Sequence, residues 1–160
     1  MKLSEHFDLD EFTRSATADR LHIDNSLNPS DPTGQAIINN LKNLCQQVLE
    51  PLREHFGIPI VVSSGYRCPE LNRAVGGVPN SQHLTGEAAD IILPPLTLPS
   101  TSSGQANTHH STLNEWFYWL IDNTPFDQLG FESKGTTKWI HVSCKPDPTE
   151  NRQSIFRKTM

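Results

Sequence analysis

Little in this chain points to covalent cross-links, nucleic acid or a bilayer. Its three cysteines, Cys45, Cys68 and Cys144, are odd in number and widely spaced, which excludes a disulfide framework. Cys45 falls in a helical pattern and reads as a buried thiol. Cys68 and Cys144 lie nearer the polar motifs described below, where a thiol ligand or a Cys68–Cys144 pair stays open. Lys and Arg number 13 against 18 Asp and Glu, a formal net charge of −5. No Lys/Arg cluster offsets that balance, so a nucleic-acid footprint is excluded. No apolar segment approaches the roughly 20 residues that a membrane helix needs, and Met1-Lys2-Leu3-Ser4-Glu5-His6-Phe7-Asp8 lacks the apolar run of a signal peptide. The expectation is a monomer made in the cytoplasm, with no membrane span.

What is present is enough for one domain over residues 1–160 with a modest core. Twelve prolines imply long irregular stretches. Phe7, Phe12 and Leu21 punctuate a polar N-terminal arm, with Asp8 or Asp10 able to cap a short helix. Asp31-Pro32-Thr33 is a helix start. Ile37, Ile38, Leu41, Leu44, Val48, Leu49, Leu52 and Phe56 then recur at helical spacing, with Pro51 expected to kink or split the helix and Gly57 to end it. Strands are expected at 58–62, 88–93, 126–132 and 139–144, the last two joined by a hairpin turn at 133–137. Short helices are expected at 69–75 and 113–121. Residues 94–110, rich in Pro, Ser, Thr and Gly, read as a flexible surface insertion, and 146–160 as a loose polar tail. Helices followed by strands with interspersed helices give an α+β fold: N-terminal helices packed on a small, mainly antiparallel sheet.

The chemistry concentrates in Ser81-Gln82-His83-Leu84-Thr85-Gly86-Glu87-Ala88-Ala89-Asp90. An imidazole and a carboxylate stand seven residues apart, and only small residues precede the carboxylate. Asp90 opens the apolar run Ile91-Ile92-Leu93, where a lone carboxylate is costly unless neutralised. A metal would neutralise it; so would a hydrogen bond or a salt bridge to Arg67 or Arg73. His141, in Trp139-Ile140-His141-Val142-Ser143, alternates onto one strand face with Trp139 and Ser143. Alone it reads as a satisfied core histidine; beside His83 and Asp90 it is a ligand candidate. Two His and one Asp leave one open position on a zinc ion, the catalytic rather than the structural arrangement. Glu132 ends Leu129-Gly130-Phe131, and strand pairing would bring it toward His141, where a base for water is needed; otherwise it is an exposed strand-end carboxylate. Arg67, on the turn after Ser64-Gly65-Tyr66, holds a substrate carboxylate or an oxyanion, or else is a surface residue or pairs with Asp90. His6, His22, His55, His109 and His110 have no comparable context.

Together, Ser64-Gly65-Tyr66-Arg67-Cys68-Pro69, Ser81-x-His83-x-x-Gly86-x-Ala88-x-Asp90, Phe126-Asp127-Gln128-Leu129 with Glu132, and Trp139-Ile140-His141-Val142-Ser143 resemble the D-alanyl-D-alanine carboxypeptidase-type zinc peptidases. These share their fold with the signalling domain of hedgehog proteins. The resemblance spans roughly residues 4–146. It implies one Zn2+ held by His83, Asp90 and His141, Glu132 as catalytic base, Arg67 on the substrate or oxyanion, and Ser81 as a substrate or supporting contact. It further implies cleavage of peptidoglycan stem peptides, as a D-Ala-D-Ala carboxypeptidase or an L-Ala-D-Glu-type endopeptidase, in an endolysin-like setting where the cell wall is reached on release or lysis. The sequence departs from some relatives, which carry His at the position of Trp139 or the base at the position of Lys138. A zinc-containing binding module without catalysis, or a purely structural metal, are the alternatives.

Overall fold

A computed structural model describes residues 1–95 and 112–160. The insertion expected over 94–110 falls, from residue 96 onward, outside the described residues, as does the His109-His110 pair. The N-terminal arm carries α1 (Leu9–Thr13), capped by Asp8, and α2 (Ala16–Leu21), which the sequence pattern did not announce. The main helix begins as expected. Asp31 accepts the Gly34 N–H at 2.9 Å and Pro32 occupies the first turn of α3 (Pro32–Leu44). Pro51 does split it, and the means is specific. Proline cannot donate to the carbonyl four residues back, and its ring crowds that carbonyl. The chain answers with a π turn over Cys45–Leu49, closed by the Glu50 N–H on the Cys45 carbonyl, and resumes as α4 (Glu50–Phe56) with Pro51 in the first turn. There a missing N–H costs nothing.

Five strands follow: β1 (Val61–Ser64), β2 (Ala88–Ile92), β3 (Gln128–Lys134), β4 (Thr137–Ser143) and β5 (Ser154–Thr159), in the order β1-β2-β4-β3-β5. Between them lie α5 (Pro69–Ala74), a 3-10 turn (Gln82–Thr85) and α6 (Leu113–Asn123). Three of the pairings are antiparallel and β3·β5 is parallel, so the sheet is mixed. One face is apolar. Val62, Ala89, Ile91, Leu129, Ile140 and Val142 join Ile38, Leu41, Leu44, Val48, Leu52, Trp116, Phe117 and Leu120 in one core. Alternation sends the intervening residues to the other face: Asp90, His141, Gly130, Glu132, Trp139, Phe156 and Lys158, in adjoining register. Among the described residues no helix is long and apolar enough to cross a membrane.

Two expectations need correction, and one alternative left open falls away. The strand expected at 58–62 lies later, at Val61–Ser64, because Pro59 has no N–H to give a ladder. The cysteines are all unpaired: Cys68 caps α5 by accepting the Leu71 N–H, and the Cys144 thiol donates to the Pro125 carbonyl. Burial pushes the Cys45 and Cys144 thiols up. Lastly, 146–160 is not a loose tail: it holds a 3-10 turn (Pro148–Glu150) and then β5. The apolar content of β5 is low because it is an edge strand, fixed by other means. Arg152 donates Nε and Nη2 to Asp127 at 2.9 and 2.6 Å, and the Ser154 N–H reaches the Asp127 carbonyl at 2.8 Å. Arg157 lies 5.0 Å over the rings of both Phe117 and Phe131, a cation–π contact. On the opposite face Phe156 occupies the space that a Gly130 side chain would need, with ring carbons 2.3–2.4 Å from a Cβ built there.

Gly130→Ala should therefore push Phe156 off β3, with a loss of about 1–3 kcal/mol. Urea unfolding would measure it, and hydrogen exchange should show β5 amides losing protection before those of β4. The Asp127–Arg152 pair should appear in the acid limb of stability. The Arg152 hydrogen bonds, against burial, hold the Asp127 carboxyl below its ordinary value. A depressed folded pKa contributes stability above the unfolded value near 3.9 that is lost as pH falls through the folded one. The stability gap between wild type and Asp127→Asn should thus be full at pH 7 and shrink below about pH 4; a gap independent of pH would remove the charge from the argument.

Candidate metal centre

His83 reaches the polar sheet face from the 3-10 turn Gln82–Thr85. Ser81 caps this turn, its Oγ accepting the His83 N–H at 3.4 Å. Gly86 ends it at φ 74, with a Cβ there 2.7 Å from the Ile37 carbonyl oxygen. Both the backbone angle and the packing on α3 therefore require glycine. The turn is tied to the loop after β1 by the Arg67 N–H on the His83 carbonyl at 3.0 Å. His83 Nδ1 lies 2.7 Å from the Gly65 carbonyl oxygen. A carbonyl only accepts, so Nδ1 carries a proton and Nε2 is the nitrogen left to face Asp90 and the cleft.

Asp90 and His141 are direct partners across β2 and β4, so their side chains leave the sheet side by side. Asp90 Oδ1 is 3.0 Å from His141 Nδ1 and 3.4 Å from His83 Nε2. The ligand atoms of the three residues all lie within 4.8 Å of one another. Zinc bonds of 2.0–2.1 Å at a tetrahedral angle separate ligand atoms by about 3.3 Å. The two measured edges bracket that value, so the donor set fits a single zinc ion. His83 is almost fully buried, and the Asp90 and His141 side chains are only 13% and 12% exposed.

The second carboxylate oxygen is also engaged. Arg67 Nη2 donates to Asp90 Oδ2 at 2.8 Å and its Nε to Ser64 Oγ at 2.9 Å. The Asp90 pairing left open for Arg67 is thus present. Burial alone would raise the Asp90 pKa. The charge of His83, hydrogen bonds from His141 and His83, and the charge of His141 outweigh it and hold the carboxyl far below its usual range. Asp90 is therefore the ionised acceptor that a metal ligand must be.

These residues open into a cleft of about 540 Å³ that is also lined by Ser81, Gln128, Glu132, Trp139, Phe156 and Lys158. Glu132 stands nine positions before His141 in sequence. The hairpin turning at Gly135 brings it back. Glu132 opposes Trp139 and Gly130 opposes His141, so Glu132 and His141 are diagonal neighbours on one face, about 7–8 Å apart between backbones. The facing wall is the loop after α5, where Asn72 Nδ2 donates to the Val78 carbonyl and the Asn72 carbonyl accepts the Gly77 N–H. Sequence reasoning missed the Gly65 carbonyl, since any residue supplies one. It also missed Phe156 and Lys158, for which only the alternation in Ser154-Ile155-Phe156-Arg157-Lys158 was a signal.

Comparison with known proteins bears on the same segments. A family model described as Peptidase M15 matches residues 5–112. The match includes Arg67, Ser81, His83 and Asp90 and stops before the hairpin that carries Glu132 and His141. No curated protein matches the chain. The match extends over more than half of the sequence, and His83 and Asp90 within it come together in space with His141. The chain therefore belongs to the Peptidase M15 family, a family of zinc peptidases.

Proposed function

We propose that the protein is a zinc-dependent peptidase acting on the stem peptides of bacterial peptidoglycan, with His83 Nε2, Asp90 Oδ1 and His141 Nδ1 holding one ion. The observation that carries this reading is the convergence of three donor atoms beside Glu132 in an open cleft. When bound, zinc supplies Lewis-acid polarisation and activation of water near neutral pH. Glu132 takes the proton of the attacking water and returns it to the leaving amine. Trp139, next to Glu132 on the same face, shields that transfer from bulk solvent. Arg67 is given a positioning role: by holding Oδ2 it fixes the rotamer of Asp90 and keeps Oδ1 turned toward the histidines. Ser81 sets the His83 turn and borders the substrate. The setting is the cell wall, reached on release or lysis.

Product masses after incubation with purified peptidoglycan separate the two reactions. Loss of a terminal D-Ala identifies a carboxypeptidase; release of longer stem fragments identifies an endopeptidase. Glu132→Gln should retain zinc and lose about 10²–10⁴-fold in kcat. A zinc-loaded variant with full activity would remove Glu132 from the mechanism. Tight wall binding without cleavage by the zinc-loaded wild type would favour the binding-module reading.

Arg67→Met should weaken zinc binding by about 10–100-fold, the usual cost of losing a partner that orients a ligand, as read by competition with a chromophoric chelator. Unchanged affinity with a fall in kcat alone would return Arg67 to the oxyanion. Chelation should abolish cleavage while leaving the far-UV spectrum intact, because the core lies on the other face of the sheet. Unfolding on chelation would instead mark a structural metal.

A further inference from the structure

The cleft carries more positive charge than the chain around it. In a protein of net charge −5, Arg67, Lys134, Arg152 and Lys158 all line it, against the carboxylates of Asp90 and Glu132. Two of these cations are committed: Arg67 to Asp90 and Arg152 to Asp127. Lys134 and Lys158 form no ion pair among the described residues, although Lys158 is the register partner of Glu132 across β3 and β5. Both stand on the polar face, Lys134 two residues beyond Glu132 on β3 and Lys158 two beyond Phe156 on β5. They flank the proposed base on the side away from the three ligands. Phe156 and Met160 alternate with Lys158 along the same cleft lining, so the ammonium groups border apolar surface within a concavity, where an opposite charge is attracted more strongly than on open surface.

We propose that Lys158, assisted by Lys134, anchors a carboxylate of the substrate, so that the cleft selects peptides bearing a free carboxylate a few residues from the scissile bond. This deepens the peptidase reading and rests on it. The spacing fits. Lys158 is two strands and one same-face step from His141, about 12 Å between backbones, which is three to four residues of extended peptide less the reach of the lysine side chain. β5, like β3 and β4, lies beyond the segment that matches the family.

The test uses muropeptides released from purified peptidoglycan by a glycan-strand hydrolase, before and after carbodiimide amidation of their carboxyl groups. Wild type should prefer the free form by about fivefold in kcat/KM, the scale of one partly exposed charge pair, and the preference should fall as salt is raised. Lys158→Met should abolish the preference through KM, Lys158→Glu should reverse it, and Lys158→Arg should retain it. A structural role for Lys158 would alter activity on both forms without moving their ratio. An unchanged ratio in Lys158→Met and Lys158→Glu, with zinc content and melting temperature at wild-type values, overturns the proposal. If Lys158→Met does not fold, Lys134→Glu and Lys158→Arg carry the comparison. If wild type cleaves neither form, the peptidase reading fails separately. Calorimetric Kd values for the same peptide pair then decide: tighter binding of the free form, lost in Lys158→Glu, supports the anchor, and equal binding overturns it.

Discussion

Asp90 is a carboxylate in the strand sequence Ala89-Asp90-Ile91, whose two flanking side chains are fully buried. Such a group is unfavourable unless each oxygen is matched. The structure around it supplies that matching in two directions. Oδ2 takes the Arg67 guanidinium, itself held by Ser64 at the bulged end of β1. Oδ1 faces two imidazoles delivered by separate elements, His141 from the neighbouring strand and His83 from a turn pinned to α3 by Gly86. Removing any of these partners leaves a buried charge short of a contact. The fold and the site are therefore one problem: the strand register that fills the core with Ala89, Ile91, Ile140 and Val142 is the register that sets Asp90 against His141.

The same two-faced sheet explains where the proposed base comes from. Glu132 needs no element of its own, because the β3–β4 hairpin already aligns it one step from the ligand row. Gly130 leaves the place beside His141 empty, and Phe156 fills it from β5, with ring centroids 6.1 Å apart. A side chain at 130 would occupy that place itself. One absent side chain thus admits the last strand to the cleft.

Much of this was legible in residues alone, because the relevant signals are local or periodic. The His83–Asp90 spacing, the strand alternation that put His141 and Trp139 together, the capped start at Asp31 and the break at Pro51 each express short-range geometry. Glu132 required one further step, a hairpin turn readable from Gly135. What stayed hidden was non-local. Nothing about Arg67 in sequence announced its pairing with Asp90, which depends on the distance between the loop after β1 and β2. β5 was hidden because an edge strand needs little apolar surface. Its Arg157 packs as a cation over rings, and its exposed Lys158 lines the open cleft, so composition imitated a loose tail.

That concealment has a functional logic. The proposed ligands His83, Asp90 and His141 are fixed by buried partners on separate elements and tolerate little change. The rim beyond Glu132 is built from exposed side chains of an edge strand that is tied to β3 mainly by backbone bonds, Phe156 and the Asp127–Arg152 pair. Substitutions at Lys158 or Met160 remove no core contact and orphan no buried charge. The reaction and its selectivity are thus carried by parts of the fold under very different constraint. The same metal chemistry can be turned toward a different peptide by altering side chains on β5 alone, without disturbing the carboxylate on which the rest depends.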